Sequence, residues 1–81
     1  AITVDADSEI DLQGGGTLPL TYSVAATGRL VLDGQWTLAQ AATTLPTSVG
    51  TVTLSGDYLF NGGQTLHIDH AVTLDRATFE A

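Results

Sequence analysis

The sequence contains no cysteine, so neither a disulfide nor a thiolate metal site can stabilise the fold. Methionine is missing too, even at position 1, which favours a processed product or an excised fragment. Lysine is absent, and only Arg29 and Arg76 oppose nine acidic residues, giving a formal net charge of -7. Because two arginines cannot form the basic stripe that contacts phosphates, we expect no nucleic-acid binding. No apolar run approaches the ~20 residues of a membrane span, so we expect no membrane insertion.

The small size of the chain adds a further constraint. Eighty-one residues form one small domain, which buries a low fraction of its surface on folding. Domains of this size usually depend on disulfides, a metal or a partner subunit. Because cysteine is absent, we expect support from oligomerisation or from attachment to a longer chain.

Strand-forming residues dominate the sequence, and glycines separate the segments. No window of helical length keeps an apolar stripe at i, i+3, i+4 and i+7 without a glycine or proline. Apolar and polar residues instead alternate with a period of two, which is the pattern of a strand with one apolar face. The clearest alternating segments are 30–32, 52–54, 66–68 and 72–74, and turn signals such as Asp33-Gly34, Ser55-Gly56 and Asn61-Gly62-Gly63 lie between them.

These strands also align with one another as a repeat. The segment 10–14 matches 30–34, which matches 52–56 and then 72–76, at offsets of 20, 22 and 20 residues. If successive repeats stack as coils, their apolar residues form columns inside the stack. The first column would be Ile10, Leu30, Val52 and Val72, and the second would be Leu12, Leu32, Leu54 and Leu74.

The repeat therefore predicts an all-β fold, a β-solenoid with coils of ~20 residues and about three short strands in each. We assign residues 1–81 to a single module, with 1–27 as an irregular initial or capping coil and 28–81 as the repeat coils. The glycine that ends each repeat would supply a positive φ at a corner, and Arg76 in its place predicts a different corner or a terminal coil. A small antiparallel β-sandwich or barrel is the alternative, because its strands have similar spacing.

The segments 50–60, 64–68 and 71–75 resemble the opening coils of a right-handed parallel β-helix of the bacteriophage tail spike or pectate-lyase-like type. The resemblance is best over residues 50–79, weaker over 28–40, and covers 1–27 only through the short repeat. It implies a trimer at a virion or extracellular surface that binds host polysaccharide. No catalytic motif of those families can be carried over residue by residue, and fold alone does not define function.

Two aromatic residues, Trp36 and Tyr58, occupy equivalent positions in successive coils. Aromatic rings stack on sugars, so they are candidates for ligand binding. However, Trp36 shares strand parity with Leu38, and Tyr58 with Phe60, which favours a buried aromatic stack over a surface platform.

The densest group of potential metal ligands is the segment 67–70. His67 and Asp69 share a strand face, so they are candidates to bind a ligand or to pair as an imidazole and its orienting carboxylate. His70 is expected at the next corner, away from both. The competing interpretation is an ordinary exposed polar face.

Alternating carboxylates at Asp5, Asp7 and Glu9 form a candidate Ca²⁺ site, because calcium takes six to eight oxygen ligands. The spacing is not that of an EF-hand loop, and a solvated acidic edge is the simpler interpretation. Charge on a terminal coil also discourages edge-to-edge aggregation. Beyond this calcium hypothesis, we predict no cofactor.

No catalytic site can be argued from the sequence, so we predict that the chain is not an enzyme. Asp33, Asp57 and Asp75 lie near successive corners, where carboxylates for glycoside hydrolysis could align. Turn chemistry explains aspartates at corners equally well.

The first functional hypothesis is a structural or receptor-binding module of a multimeric surface assembly, most like part of a phage tail spike or fibre. Its expected partners are two further copies of the chain, with Val31 and Leu59 at the interface, and a cell-surface polysaccharide or another virion protein. The alternatives are an N-terminal fragment of a β-helical polysaccharide lyase or hydrolase, and a phage capsid decoration protein.

Overall fold

A computed structural model describes residues 2–80, in which twelve short strands and no helix are found. Within that range there is accordingly no helix long and apolar enough to cross a membrane. The strands are β1 (Ile2–Val4), β2 (Glu9–Leu12), β3 (Gly16–Leu18), β4 (Tyr22–Val24), β5 (Arg29–Leu32), β6 (Gln35–Leu38), β7 (Ala42–Thr44), β8 (Thr51–Leu54), β9 (Asp57–Leu59), β10 (Thr65–His67), β11 (Thr73–Leu74) and β12 (Thr78–Glu80).

The strands wind into a parallel β-solenoid of about four turns, with coils of about 21 residues. Coil 1 contains β1–β3, coil 2 contains β4–β6, coil 3 contains β7–β9 and coil 4 contains β10–β12. Sheet 1 has the order β2-β5-β8-β11, and sheet 2 has the order β3-β6-β9-β12. The third side consists of two separate pairs, β1-β4 and β7-β10. Every pairing is parallel, so the solenoid prediction is confirmed and the antiparallel alternative is wrong.

The register of sheet 1 is the one that the repeat predicts. Leu12 pairs with Leu32, Leu32 with Leu54 and Leu54 with Leu74, at offsets of 20, 22 and 20 residues. The larger offset arises because six residues separate β7 from β8, whereas four separate β4 from β5. The sequence predicts an irregular initial or capping coil over 1–27. Residue 1 lies outside the described residues, and residues 2–27 form coil 1 and the start of coil 2, with their strands paired.

The interior of the solenoid holds the apolar columns, with Leu30, Leu32 and Leu54 fully buried. An aromatic column runs along sheet 2. Tyr58 lies between Trp36 and Phe79 in the register, and its ring centroid is 5.3 Å from that of Phe79. The buried polar atoms of this column have backbone acceptors. The Trp36 Nε1 donates to the Asp33 carbonyl at 2.8 Å, and the Tyr58 hydroxyl donates to the Leu32 carbonyl at 2.8 Å. Burial raises the pKa of Tyr58 above its usual range.

Glycines at the corner between sheets 1 and 2 allow the coils to stack closely. Gly34 and Gly56 have φ values of 90° and 81°, and a Cβ on Gly56 would lie 2.6 Å from the Gly34 nitrogen. In coil 1 the positive φ falls on Gly15, one residue later than the repeat predicts. In coil 4 it falls on Arg76, with φ 59°, and this corner is one residue longer than the corresponding corner of coil 3.

The third side is interrupted between β4 and β7, and a serine side chain fills the gap. The Val24 N–H donates to Ser48 Oγ at 2.6 Å, and the Ser48 hydroxyl donates to the Val24 carbonyl at 3.2 Å. The Gly50 N–H donates to the same carbonyl at 2.9 Å. The Val24 backbone groups therefore bond to the Ser48 hydroxyl and the Gly50 N–H, in place of the hydrogen bonds that a paired strand would have made.

Candidate functional site

A groove of about 350 Å³ lies between the segment that leads into β8 and the segment that leads into β11. The longer connection between β7 and β8 in coil 3 forms one wall of the groove, and coil 4 forms the other wall. Its lining combines hydroxyl groups, an imidazole, backbone and small apolar side chains. The lining residues are Ser48, Val49, Gly50, Thr51, Val52, His70, Ala71, Val72 and Thr73.

His70 is the titratable residue of the groove, and a carboxylate holds its ring. His70 Nδ1 lies 3.1 Å from Asp69 Oδ1 and 3.4 Å from Thr47 Oγ1. The His70 side chain is only 12% exposed, and its Nε2 is buried without a hydrogen-bond partner among residues 2–80. Because a carboxylate only accepts hydrogen bonds, Nδ1 carries the proton of the Asp69 contact, and a neutral ring keeps a lone pair on Nε2. The hydrogen bond from His70 lowers the pKa of the Asp69 carboxyl.

The predicted pair of His67 and Asp69 does not form. His67 is the last residue of β10 and is exposed, whereas Asp69 lies beyond the strand and contacts His70. The expectation that His70 would lie apart from Asp69 was wrong, because the chain turns after β10 and brings the two adjacent side chains together. Sequence alternation assumes an extended strand through residue 69, and the strand ends two residues earlier.

The candidate calcium site at Asp5, Asp7 and Glu9 is not assembled either. All three residues are exposed, and the backbone N–H of Asp7 donates to Thr27 Oγ1 at 2.9 Å, which fixes the turn. Glu9 points to the next coil, where its carboxylate lies 3.5 Å from the Arg29 guanidinium. Across residues 2–80, no group of three or more His, Asp or Glu side chains is close enough to hold a metal ion.

Trp36 and Tyr58 are buried, with 2% and 0% of their surface exposed. A platform for a sugar ring must present a face to solvent, so the ligand-binding hypothesis for these two residues is wrong. Their inward orientation follows from the strand parity that they share with Leu38 and Phe60.

A second exposed feature lies on coil 4, and the period-two alternation gives no signal for it. Leu74 is 57% exposed and Phe79 is 45% exposed. Both residues continue columns whose preceding members, Leu54 and Tyr58, are completely buried.

Comparison with known proteins finds no relative of this chain. No protein-family model, no curated protein and no solved structure matches the chain. The fold defines the class as a parallel β-solenoid, and this class of fold does not by itself define a function.

Proposed function

We propose that this chain is a structural module of a multimeric surface assembly, and that it acts by binding other subunits through its exposed coil surfaces. The observation that carries the proposal is a set of partly exposed apolar side chains, Val31 and Leu59, on the outer faces of the two middle coils, which the winding of the chain does not cover.

The form of the assembly that we favour is similar to a phage tail spike or fibre at a virion or extracellular surface. Three subunits would lie side by side, with Val31 and Leu59 at the lateral interface. Both residues are partly exposed apolar side chains on the outer faces of sheets 1 and 2. Beside Val31, the outward Thr53 is 8% exposed, so this strip of sheet 1 is closely packed and suited to flat contact.

Native mass by light scattering tests the proposal, measured from micromolar to millimolar concentration. The wild-type chain should exceed the monomer mass, and the mass should rise with concentration. Val31→Lys should lower it, because the substitution places a charge in the lateral interface. Ser23→Lys, an exposed outward change on the third side, is the control for added charge. A folded monomer at every concentration would contradict the proposal.

The groove beside His70 favours a second candidate function, binding of a surface polysaccharide. Exposed hydroxyl groups of Thr51 and Thr73 line it next to the imidazole, and such groups can exchange hydrogen bonds with sugar hydroxyls. NMR titration with a panel of oligosaccharides should shift the His70 ring signals and leave the exposed His67 unchanged. Equal shifts of both rings, or none at millimolar saccharide, would contradict this candidate.

A further inference from the structure

We infer that Asn61 is a site of spontaneous covalent modification, where the side-chain amide is converted to a carboxylate through a cyclic imide formed with Gly62. The inference is independent of the proposed function, because it concerns the chemistry of one corner of the solenoid and needs no partner. Asn61 is the single asparagine of the chain, and a glycine follows it. Glycine favours the cyclisation because it has no Cβ to hinder its nitrogen.

The Asn61-Gly62 bond lies in an exposed turn between β9 and β10. The Gln64 N–H donates to the Asn61 carbonyl at 3.0 Å, which closes a turn of four residues. Within this turn only Gly63 has a positive φ, 78°, as at the third position of a type II turn. The strand register makes this corner one residue longer than the corresponding corner of coil 3. The extra residue moves the turn outward from the stacked coils, where it is accessible to water.

The two groups that must react are free of other contacts. Among residues 2–80, neither the Gly62 N–H nor the Asn61 side-chain amide forms a hydrogen bond. A Cβ on Gly62 would meet nothing within 4 Å, so no neighbouring atom obstructs the rotation that brings the amide carbon to the Gly62 nitrogen. The bond also lies outside the strands, so its backbone can move without breaking a strand pairing.

The reaction needs only water as a co-reactant. The Gly62 nitrogen attacks Cγ of Asn61 and forms a bond to it, the bond from Cγ to the amide nitrogen breaks, and ammonia leaves with the proton of the Gly62 nitrogen. Water then opens the resulting succinimide ring at either carbonyl, which gives aspartate or the β-linked isoaspartate. One amide and one water thus become one carboxylate and one ammonium ion. The modification adds one negative charge to the formal net charge of -7.

The Asp33-Gly34 bond is an internal comparison, because an aspartate before glycine can form the same ring with loss of water. At this corner the glycine is packed between coils. The Gly34 N–H donates to Asp33 Oδ1 at 2.7 Å, and a Cβ on Gly34 would lie 2.5 Å from the Gln13 carbonyl oxygen. Because the coil beneath restricts this backbone, we expect ring formation at Asn61 and not at Asp33.

The modification alters a set of hydrogen bonds that ties this corner to the preceding corner. Gln64 Oε1 accepts from the Asn61 N–H at 2.8 Å. Gln64 Nε2 donates to the carbonyls of Leu38 at 2.8 Å and Gln40 at 3.2 Å. In isoaspartate the main chain runs through the side-chain carbon, so the carbonyl that closes the turn becomes a carboxylate outside the main chain. The turn is then one atom longer and loses its closing hydrogen bond.

Ageing of the full chain at mildly alkaline pH tests the inference, with intact mass and charge followed over weeks. Hydroxylamine cleaves a succinimide, so it should yield the fragments 1–61 and 62–81. Gly62→Val is the informative variant, because its β-branched side chain crowds the nitrogen, whereas the φ of Gly62 is not positive and its Cβ has room. Asn61→Gln is the matched control, because it keeps an amide that would need a larger ring. Circular dichroism checks that both variants are folded.

The expected result is an acidic form with the new carboxylate at position 61, produced at least about tenfold more slowly in Gly62→Val. The unfolded chain in urea gives a reference rate, and the folded chain should convert within about tenfold of it. A slower folded rate would place the reaction in rare unfolded molecules and overturn the inference. Cleavage between residues 33 and 34 in place of 61 and 62, or equal rates in wild type and Gly62→Val, would also overturn it.

Discussion

Replacing Gly56 with alanine should destabilise the protein severely, because this glycine lies where two coils touch. Its φ of 81° is unfavourable for any residue with a Cβ, and the left-handed conformation costs about 1–2 kcal/mol. The added Cβ would lie 2.6 Å from the Gly34 nitrogen, so backbone must move. That movement weakens the bond from Asp57 N–H to the Gly34 carbonyl, worth about 1 kcal/mol. The total loss should be about 3 kcal/mol or more.

Two other glycines isolate the contributions to this loss. Gly63 also has a positive φ, 78°, yet a Cβ there would meet nothing within 4 Å. Gly63→Ala should therefore cost only the conformational part, about 1–2 kcal/mol. Gly62 is exposed and a Cβ there would also be free of contacts, so Gly62→Ala should change the free energy of unfolding by less than about 0.5 kcal/mol.

The measurement is urea unfolding followed by circular dichroism, with the m-value checked for constancy across the three variants. A chain of this length should have a free energy of unfolding of roughly 4–12 kcal/mol, so a loss of 3 kcal/mol is readily resolved. The expected order of stability is Gly62→Ala, then Gly63→Ala, then Gly56→Ala. If Gly56→Ala matched Gly63→Ala within about 0.5 kcal/mol, close stacking of the corners would be refuted.

Three further changes follow from individual contacts. Ser48→Ala leaves the Val24 N–H without its partner and should lower the free energy of unfolding, measured in urea, by about 1–3 kcal/mol. Ser23 is exposed, so Ser23→Ala should leave this free energy unchanged. Equal effects of the two substitutions would contradict the bridging role of Ser48. Burial raises the pKa of Tyr58, so as the pH rises the phenol loses its proton in the unfolded chain before it does so in the folded chain. The free energy of unfolding should therefore fall above about pH 10, and Tyr58→Phe should make that fall less steep. An unchanged slope in Tyr58→Phe would refute a contribution from this phenol. Arg76 has a φ of 59°, which is unfavourable for a residue with a Cβ, so Arg76→Gly should raise the free energy of unfolding by up to about 1 kcal/mol. Such a gain raises the thermal midpoint by about 4–8 °C. A lower midpoint would show that Arg76 makes a compensating contact.

Much of the fold can be predicted from the sequence, because a solenoid repeats its pattern. Period-two alternation identified the inward residues, and the offsets of 20, 22 and 20 reproduced the pairing of Leu12, Leu32, Leu54 and Leu74. The same parity argument placed the Trp36 ring in the core, where 2% of it is exposed.

The candidate sites could not be predicted in the same way, because they lie where the repeat is broken. The contact between Asp69 and His70 depends on a turn after β10, and the Ser48 bridge depends on two extra residues in coil 3. The exposure of Leu74 depends on which coil covers it, and alternation marks only that it faces inward. Local patterns describe the strands, whereas these features arise from how successive coils meet.

The interruption between β4 and β7 has a consequence for how the molecule comes apart. Coils 1 and 2 are joined by three strand pairings, and so are coils 3 and 4, whereas coils 2 and 3 are joined by two pairings and the Ser48 bridge. Because each strand pairs with one about 20 residues away, the loop entropy of closing every coil is similar, and folding can begin at any junction. Unfolding, in contrast, has a preferred place. The central junction should open first and leave coil 1 paired with coil 2 and coil 3 paired with coil 4, with the earliest hydrogen exchange at the N–H groups of Val24 and Gly50.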